Sequence, residues 1–388
     1  MLQENKRFPI SLKRVENHQS LGVRASCSLQ LSSLNASVSL IMSLLEYDRL
    51  FETIETLVLH HSPSGDEGEI DRWLLNRFQE IGVEVWQDAA GNVIAKTPGR
   101  PGGKSLAITA HKDEIGAIVK TIEPTGRVQV RKLGGSFPWI YGEGVVDLLG
   151  DRQVVSGILS FGSRHISHES PQQAFQKDKP LNWEDVWVET KCTPEALAEA
   201  GVRPGTRMVV GKHRKKPIRM GDYIASYTLD NKASVAILLA LAETVKNPPG
   251  DIYWVASAKE EVGAVGALYF TNRQQLDALI ALEICPVAPE YPIAEGEVPV
   301  LLSQDGYGIY DEGLNREIRQ AAEQGAVALQ LATISGFGSD ASIAMKLGHV
   351  ARAACLGFPT QNTHGYEIAH IGAIANCIRI LQRYCLQE

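Results

Sequence analysis

The sequence predicts an α/β fold, a mixed sheet flanked by helices, with a small β-barrel domain inserted into it. Three observations lead there. The first and last parts of the chain alternate strand-length apolar runs with segments of helical periodicity, as a sheet with helices on its faces requires. Between residues 123 and 222 the alternation gives way to short β-like runs separated by glycines, the pattern of a small barrel or sandwich. The length, 388 residues, is too great for one core, since a domain takes roughly 150. The resulting division is an N-terminal segment over 1–41, a first α/β piece over 42–122, the inserted β domain over 123–222, and a second α/β piece over 223–388.

The elements follow in order. Tyr47 to His60 is apolar at helical spacing through Leu50, Ile54, Leu57 and Val58, and Ser62-Pro63-Ser64-Gly65 breaks that helix. Asp66 to Ile81 is a second helix, with acids in its first turn where the macrodipole favours them. Strands are expected over Val83–Gln87, Asn92–Lys96 and the more apolar Ser105–Ala110. In the inserted part, Val128–Val130, Val145–Leu149, Val154–Ser160 and Met208–Val210 read as strands, and Pro194–Ala200 as a short helix. Beyond it come the helix Ala233–Val245, the strand Asp251–Ala258, the helix Gly263–Phe270 and the strand Ile280–Ile284. The helix Asp311–Gln324, the strand Val327–Thr333, the helix Ser339–Leu347, the strand Val350–Leu356 and a closing helix Ile371–Leu386 complete the chain.

Composition excludes several classes of function. Hydrophobic residues are 44% and charged residues 21%, which a globular protein has and a disordered one does not. The longest apolar run, Val235–Ala242, spans eight residues, against roughly 20 for a membrane-crossing helix, so no membrane partner is expected. A net charge of −7 argues against nucleic acid, whose phosphates need a basic surface. The six cysteines, Cys27, Cys192, Cys285, Cys355, Cys377 and Cys385, form no C-x-x-C pair, and their sparseness points to a reducing cytoplasm. Met1 to Ile41 stands apart. It carries Lys6, Arg7, Lys13, Arg14 and Arg24 against Glu4 and Glu16, a net of +3. It reads as a basic, Ser-rich targeting segment or as translated sequence ahead of a start at Met42, with disorder expected either way.

Five stretches set His, Asp and Glu at the ends of expected strands, where open α/β sheets bind ligands. In Ala110-His111-Lys112-Asp113-Glu114, His111 and Asp113 share a face, suiting a metal-binding imidazole with a carboxylate behind it; a structural histidine is the other reading. In Leu229-Asp230-Asn231-Lys232, Asp230 is a helix cap or a carboxylate bridging two metals. Lys259-Glu260-Glu261-Val262-Gly263 puts two acids where a buried strand ends, costly unless they are paired or bind a cation. In extended chain the two point opposite ways, one toward metal and one toward substrate; a solvated helix start is the alternative. Glu283, alone in an apolar strand, and His364, in Thr363-His364-Gly365-Tyr366-Glu367, each also admit a solvated reading. Together they amount to two imidazoles, three carboxylates and a spare Glu, the inventory of a two-metal hydrolase.

The ordered motifs A-H-K-D-E-I-G, L-D-N-K, K-E-E-V-G, an acid in a strand, G-S-D-A and P-T-x-x-T-H resemble the tetrahedral co-catalytic aminopeptidases, metallopeptidase family forty-two. Members are often named glutamyl aminopeptidase or endoglucanase. The likeness runs from about Met42 to the C-terminus and includes Val186 to Arg207 in the inserted part. It implies a zinc-aminopeptidase-like sheet and two divalent metal ions per subunit, zinc or cobalt. His111 and Glu283 would hold the first and Glu261 and His364 the second, with Asp230 bridging. Glu260 would be the general base and Asp113 the group orienting His111. Glu283 stands where the family usually has Asp, Asn231-Lys232 where Asp-Arg is common, and Gln361-Asn362 where Arg-Tyr is commoner. Peptides would be the substrates, and subunits would associate through the inserted β domain as dimers or dodecamers. A zinc amidase or deacylase acting on N-acyl amino acids would share every ligand. A glycosidase would leave both imidazoles idle, and a non-catalytic assembly protein would need a broken ligand set. His165 and His168 are expected at the surface, with one reaching an active site as the minority alternative.

Overall fold

The structure is a computed structural model and describes residues 45–170 and 179–387. The segment 1–41, read above as targeting or upstream sequence, lies outside these residues.

A mixed sheet of 11 strands forms the larger part. At its centre four strands run parallel: Ile252–Ser257, Leu106–His111, Ala278–Pro286 and Ala353–Gln361. Leu106–His111 is buried throughout, and Ala278–Pro286 is buried on both faces up to its last residue. Covered parallel strands read as continuous apolar runs for that reason. Antiparallel strands extend the sheet both ways. On one side lie Val93–Thr97 and Glu84–Gln87; on the other lie Tyr366–His370, Tyr223–Tyr227 and Ile218–Met220. Val300–Gln304 and Gln330–Thr333 attach beside Ala353–Gln361.

One face of the sheet packs against a helix over 45–58, then Gly68–Ile81, Leu229–Thr244, Glu312–Gln324 and Ile371–Cys385. The first buries Leu50, Ile54, Leu57 and Val58, the spacing that predicted it. Leu229–Thr244 is apolar almost all round and accordingly buried on nearly every side. The shorter helices Val265–Thr271 and Asp340–Lys346 cover the other face. Among the described residues no helix is long and apolar enough to cross a membrane.

The inserted part is a closed antiparallel barrel in the order Gly116–Ile122, Val128–Leu133, Trp187–Glu189, Val154–Ser160, Gly144–Leu149, Arg207–Val210. It has its own apolar core, with Val119, Val130, Val146, Leu148, Val188 and Met208. Its first strand starts at Gly116, ahead of residue 123. The turn 112–115 passes straight from the central strand Leu106–His111 into the barrel, so no change of composition marks the passage.

Candidate active site

The parallel strands fix the place of the site. Their register pairs Ser257 with His111 and Ala281 with Thr109. His111, the loop after Ser257 and Glu283 therefore come level at one end of the sheet, the carboxyl end, where such sheets bind ligands. His111, Asp230, Glu260, Glu261, Glu283 and His364 all line one cleft of about 550 Å³ there.

His111 is buried. Its Nε2 lies 3.0 Å from Asp230 Oδ1 and 3.9 Å from Glu260 Oε2, and its Nδ1 lies 3.1 Å from the Asp113 carbonyl oxygen and 3.5 Å from Asp113 Oδ1. Asp113 sits beneath the cleft. Its carboxylate accepts from the backbone N–H of Glu260 at 2.9 Å, from that of Glu261 at 3.3 Å and from Ser64 Oγ at 2.6 Å. It thus ties the turn carrying both glutamates to the strand end carrying His111.

Asp230 does not cap its helix. Thr228 occupies the cap position with no side-chain bond, and Asp230 and Asn231 depart from helical geometry. That departure turns the carboxylate into the cleft, while Asn231 Nδ2 donates to the Leu282 carbonyl at 2.8 Å, next to Glu283. The expectation that Glu260 and Glu261 point opposite ways does not hold. Residues 259–264 form a turn, with Lys259 and Ala264 left-handed at φ 56° and 53°, and both side chains face the cleft.

His364 is also left-handed, at φ 63°. Its Nε2 lies 3.4 Å from Asp230 Oδ2 and 3.7 Å from Glu261 Oε2. Glu367, which had no expected role, holds this arrangement. Its buried carboxylate accepts from the Asp230 N–H at 2.9 Å and from the His364 N–H at 3.0 Å. His165 and His168 are exposed and neither lines the cleft.

The electrostatics describe a site built for cations. Burial pushes Glu260, Glu261 and Glu283 well above the usual carboxylate range, and their mutual repulsion with Asp113, Asp230 and Asp340 adds to it. Asp340, of the G-S-D-A motif, accepts from Ser257 Oγ at 2.6 Å and is pushed up to about 6 by burial. Burial alone would lower His111, but the carboxylates of Asp113, Asp230, Glu260 and Glu283 hold it well above its usual value. Among the described residues no Lys or Arg pairs with this group. The buried Glu261 Oε1 has no hydrogen-bond partner. His111, Asp230 and Glu261 offer ligand atoms all within 4.8 Å of one another. Imidazole and carboxylate donors at this spacing fit divalent metal.

A second buried polar network adjoins the site. His61 Nε2 lies 3.1 Å from Asp147 Oδ2, Lys215 Nζ lies 3.0 Å from His61 Nδ1 and 2.6 Å from Glu114 Oε2, and Lys232 Nζ lies 3.2 Å from Glu114 Oε1. Lys215 can only donate, so His61 accepts at Nδ1 and donates from Nε2 to Asp147.

The family model for M42 glutamyl aminopeptidase matches residues 91–380. The chain belongs to the M42 family. It is a peptidase of a metal-dependent family, and the His111–Asp230–Glu261 group supplies this M42 member with a candidate metal centre. It is 27% identical over 348 residues to the Escherichia coli protein SgcX, covering 85% of this chain and 91% of that one. To the lysyl aminopeptidase of Pyrococcus furiosus it is 24% identical over 311 residues, covering 78% and 87%. Its fold matches the TET1 peptidase of Pyrococcus horikoshii, which can assemble into a tetrahedron or a large octahedral shell. That match has a TM-score of 0.77 at 22% identity and covers 87% of this chain and 100% of the other.

Proposed function

We propose that the chain is a dinuclear aminopeptidase that removes N-terminal residues from peptides. In this reading His111, Asp230, Glu261, Glu283 and His364 hold two divalent ions, zinc or cobalt, with Asp230 shared between them. The observation that carries it is the placement of the two imidazoles. Each faces a different oxygen of Asp230, His111 Nε2 at 3.0 Å from Oδ1 and His364 Nε2 at 3.4 Å from Oδ2. That division of its oxygens would suit a carboxylate shared between two cations.

Divalent ions, when bound by these residues, would supply polarisation of the scissile carbonyl and acidification of water. The chain's residues do the rest. Glu260, whose proton affinity is raised by burial and by Asp340, takes a proton from the attacking water and returns it to the leaving amine. Asp113 orients His111 and, through the Glu260 and Glu261 N–H groups, keeps base and ligand in register. Subunits associate through the inserted β domain, as dimers or dodecamers, in the cytoplasm. Val154 and Ile158, exposed on one barrel strand, support such a contact.

The test is hydrolysis of an aminoacyl anilide by the full chain. Chelation should abolish it, zinc or cobalt should restore it with two ions bound per chain, and the N-acetylated anilide should stay intact. Preference for the acetylated substrate would move the reading to an amidase, and activity indifferent to chelation would end it. A monomer in sedimentation at micromolar concentration would remove the assembly.

A further inference from the structure

The cleft above the acidic group is walled by aromatic side chains that the reaction itself does not use. Phe137 and Trp139 enter it side by side, 50% and 60% exposed, with ring centroids 5.8 Å apart and planes 34° from parallel. Large rings left open to water inside a concavity mark a binding surface rather than a core. Their loop is anchored to the site. Gly135 lies against the His364 ring, where a Cβ would come within 2.7 Å of Cε1, and Ile140 packs on Gly365.

A second set of rings, Tyr291, Tyr307 and Phe337, lines the same cleft. The Tyr291 hydroxyl accepts from the Gly336 N–H at 2.9 Å. Tyr307 lies against Gly338, so close that a Cβ there would be 2.1 Å from the ring. Both sets are thus positioned by backbone contact. Outside the proposed metal and base residues, the one charged side chain among the described lining residues is Glu290, and none is Lys or Arg.

We propose that this cleft selects substrates whose N-terminal side chain is aromatic or large and apolar, and rejects glutamate and aspartate. This rests on the aminopeptidase reading above. A bulky apolar side chain loses water against rings already in place. A carboxylate entering the same space loses its hydration, meets Glu290 and finds no Lys or Arg among the described lining residues. An apolar pocket rejects even an added hydroxyl by only about 10²-fold, and an unpaired carboxylate costs more to bury, so phenylalanine should exceed glutamate by about 10²-fold or more in kcat/KM.

The experiment uses the full chain loaded with zinc or cobalt. It compares kcat/KM for Phe, Leu, Ala, Glu and Lys aminoacyl-coumarins with calorimetric binding of phenylalanine and glutamate hydroxamates. Phenylalanine hydroxamate should bind at least about tenfold more tightly than glutamate hydroxamate, the lower end of such pocket discrimination. In Trp139→Ala the Phe-to-Ala ratio of kcat/KM should narrow about tenfold, mainly through KM. Equal or tighter binding of glutamate hydroxamate, preference for a Glu or Lys coumarin, or an equal loss of both hydroxamates in Trp139→Ala would overturn the proposal. If no coumarin is cut while phenylalanine hydroxamate still binds more tightly, the cleft inference stands and the aminopeptidase reading fails.

Discussion

A carboxylate in the first turn of a helix ordinarily satisfies that helix's own N–H groups. Asp230 instead turns both oxygens outward to two imidazoles, while Glu367 accepts its N–H. Glu260 is the residue whose chemistry separates most cleanly from scaffolding. Glu260→Gln keeps the shape and leaves His111, Asp230, Glu261, Glu283 and His364 in place. Metal content should stay as in the parent while kcat falls by about 10² or more; unchanged turnover would give the base role to another group. His111, Glu260 and Glu283 drew attention in the sequence because each closes or interrupts a largely apolar run, whereas Asp230 and His364 stood out only through the order of the motifs. Glu367 and Asp340 were not legible as parts of the site. What each does depends on which backbone amide or hydroxyl comes to meet it, and that is set by folding. The aromatic wall was equally hidden, since Phe137 and Trp139 sit at the start of the single helical turn Pro138–Tyr141, too short to reveal a face.

At the scale of elements, the site is a meeting of loops held together by close backbone approach. The loop entering the turn Pro138–Tyr141 touches the His364 loop at Gly135, whose carbonyl lies 3.3 Å from His364 Nδ1. Gly135→Ala would press a methyl group on that imidazole at 2.7 Å. Metal affinity should drop roughly 10- to 100-fold, the usual cost of disturbing a group that orients a ligand, with little change in the unfolding midpoint of the metal-free chain. Competition for zinc against a chromogenic chelator measures it; an unaltered affinity would mean the loop gives way freely. The long helices and central strands were read from the sequence because burial imposes their periods. The short strands on one side of the sheet, Ile218–Met220, Tyr223–Tyr227 and Tyr366–His370, were missed. Three to five residues are too few to show an alternation, and these mix charges and aromatics. The turn after Ser257 escaped as well, because left-handed Lys259 and Ala264 are chosen by the contacts of the turn rather than by residue type.

At the scale of the whole molecule, the chain from Asp147 in the barrel through His61 and Lys215 to Glu114 and Lys232 fastens barrel to sheet with buried polar contacts. Such a network is stable only when every member is satisfied. Burial would raise the Asp147 carboxyl, but hydrogen bonds from His61 and Ser156 outweigh it and push it down to about 2. Its contribution, about 2 kcal/mol by linkage, is therefore complete above the ordinary Asp range near 4 and is lost as pH falls through about 2. Asp147→Asn should cost about that much near neutral pH, with parent and variant converging as pH drops from about 4 toward 2. Urea midpoints at pH 6 and pH 3 test this, and an equal gap at both would assign the loss to packing.

The order in which the chain visits the cleft also bears on its synthesis. His111 precedes the barrel, whereas His364 lies in the last loop before the final strand and helix. A polypeptide still emerging from a ribosome can finish its barrel and most of its sheet without owning the second imidazole. In the proposed reading it cannot yet assemble the full ligand set. In that reading the ligand set is complete only when Ala353–Gln361 and Tyr366–His370 close onto the sheet, so the order of translation is also the order in which the centre is built.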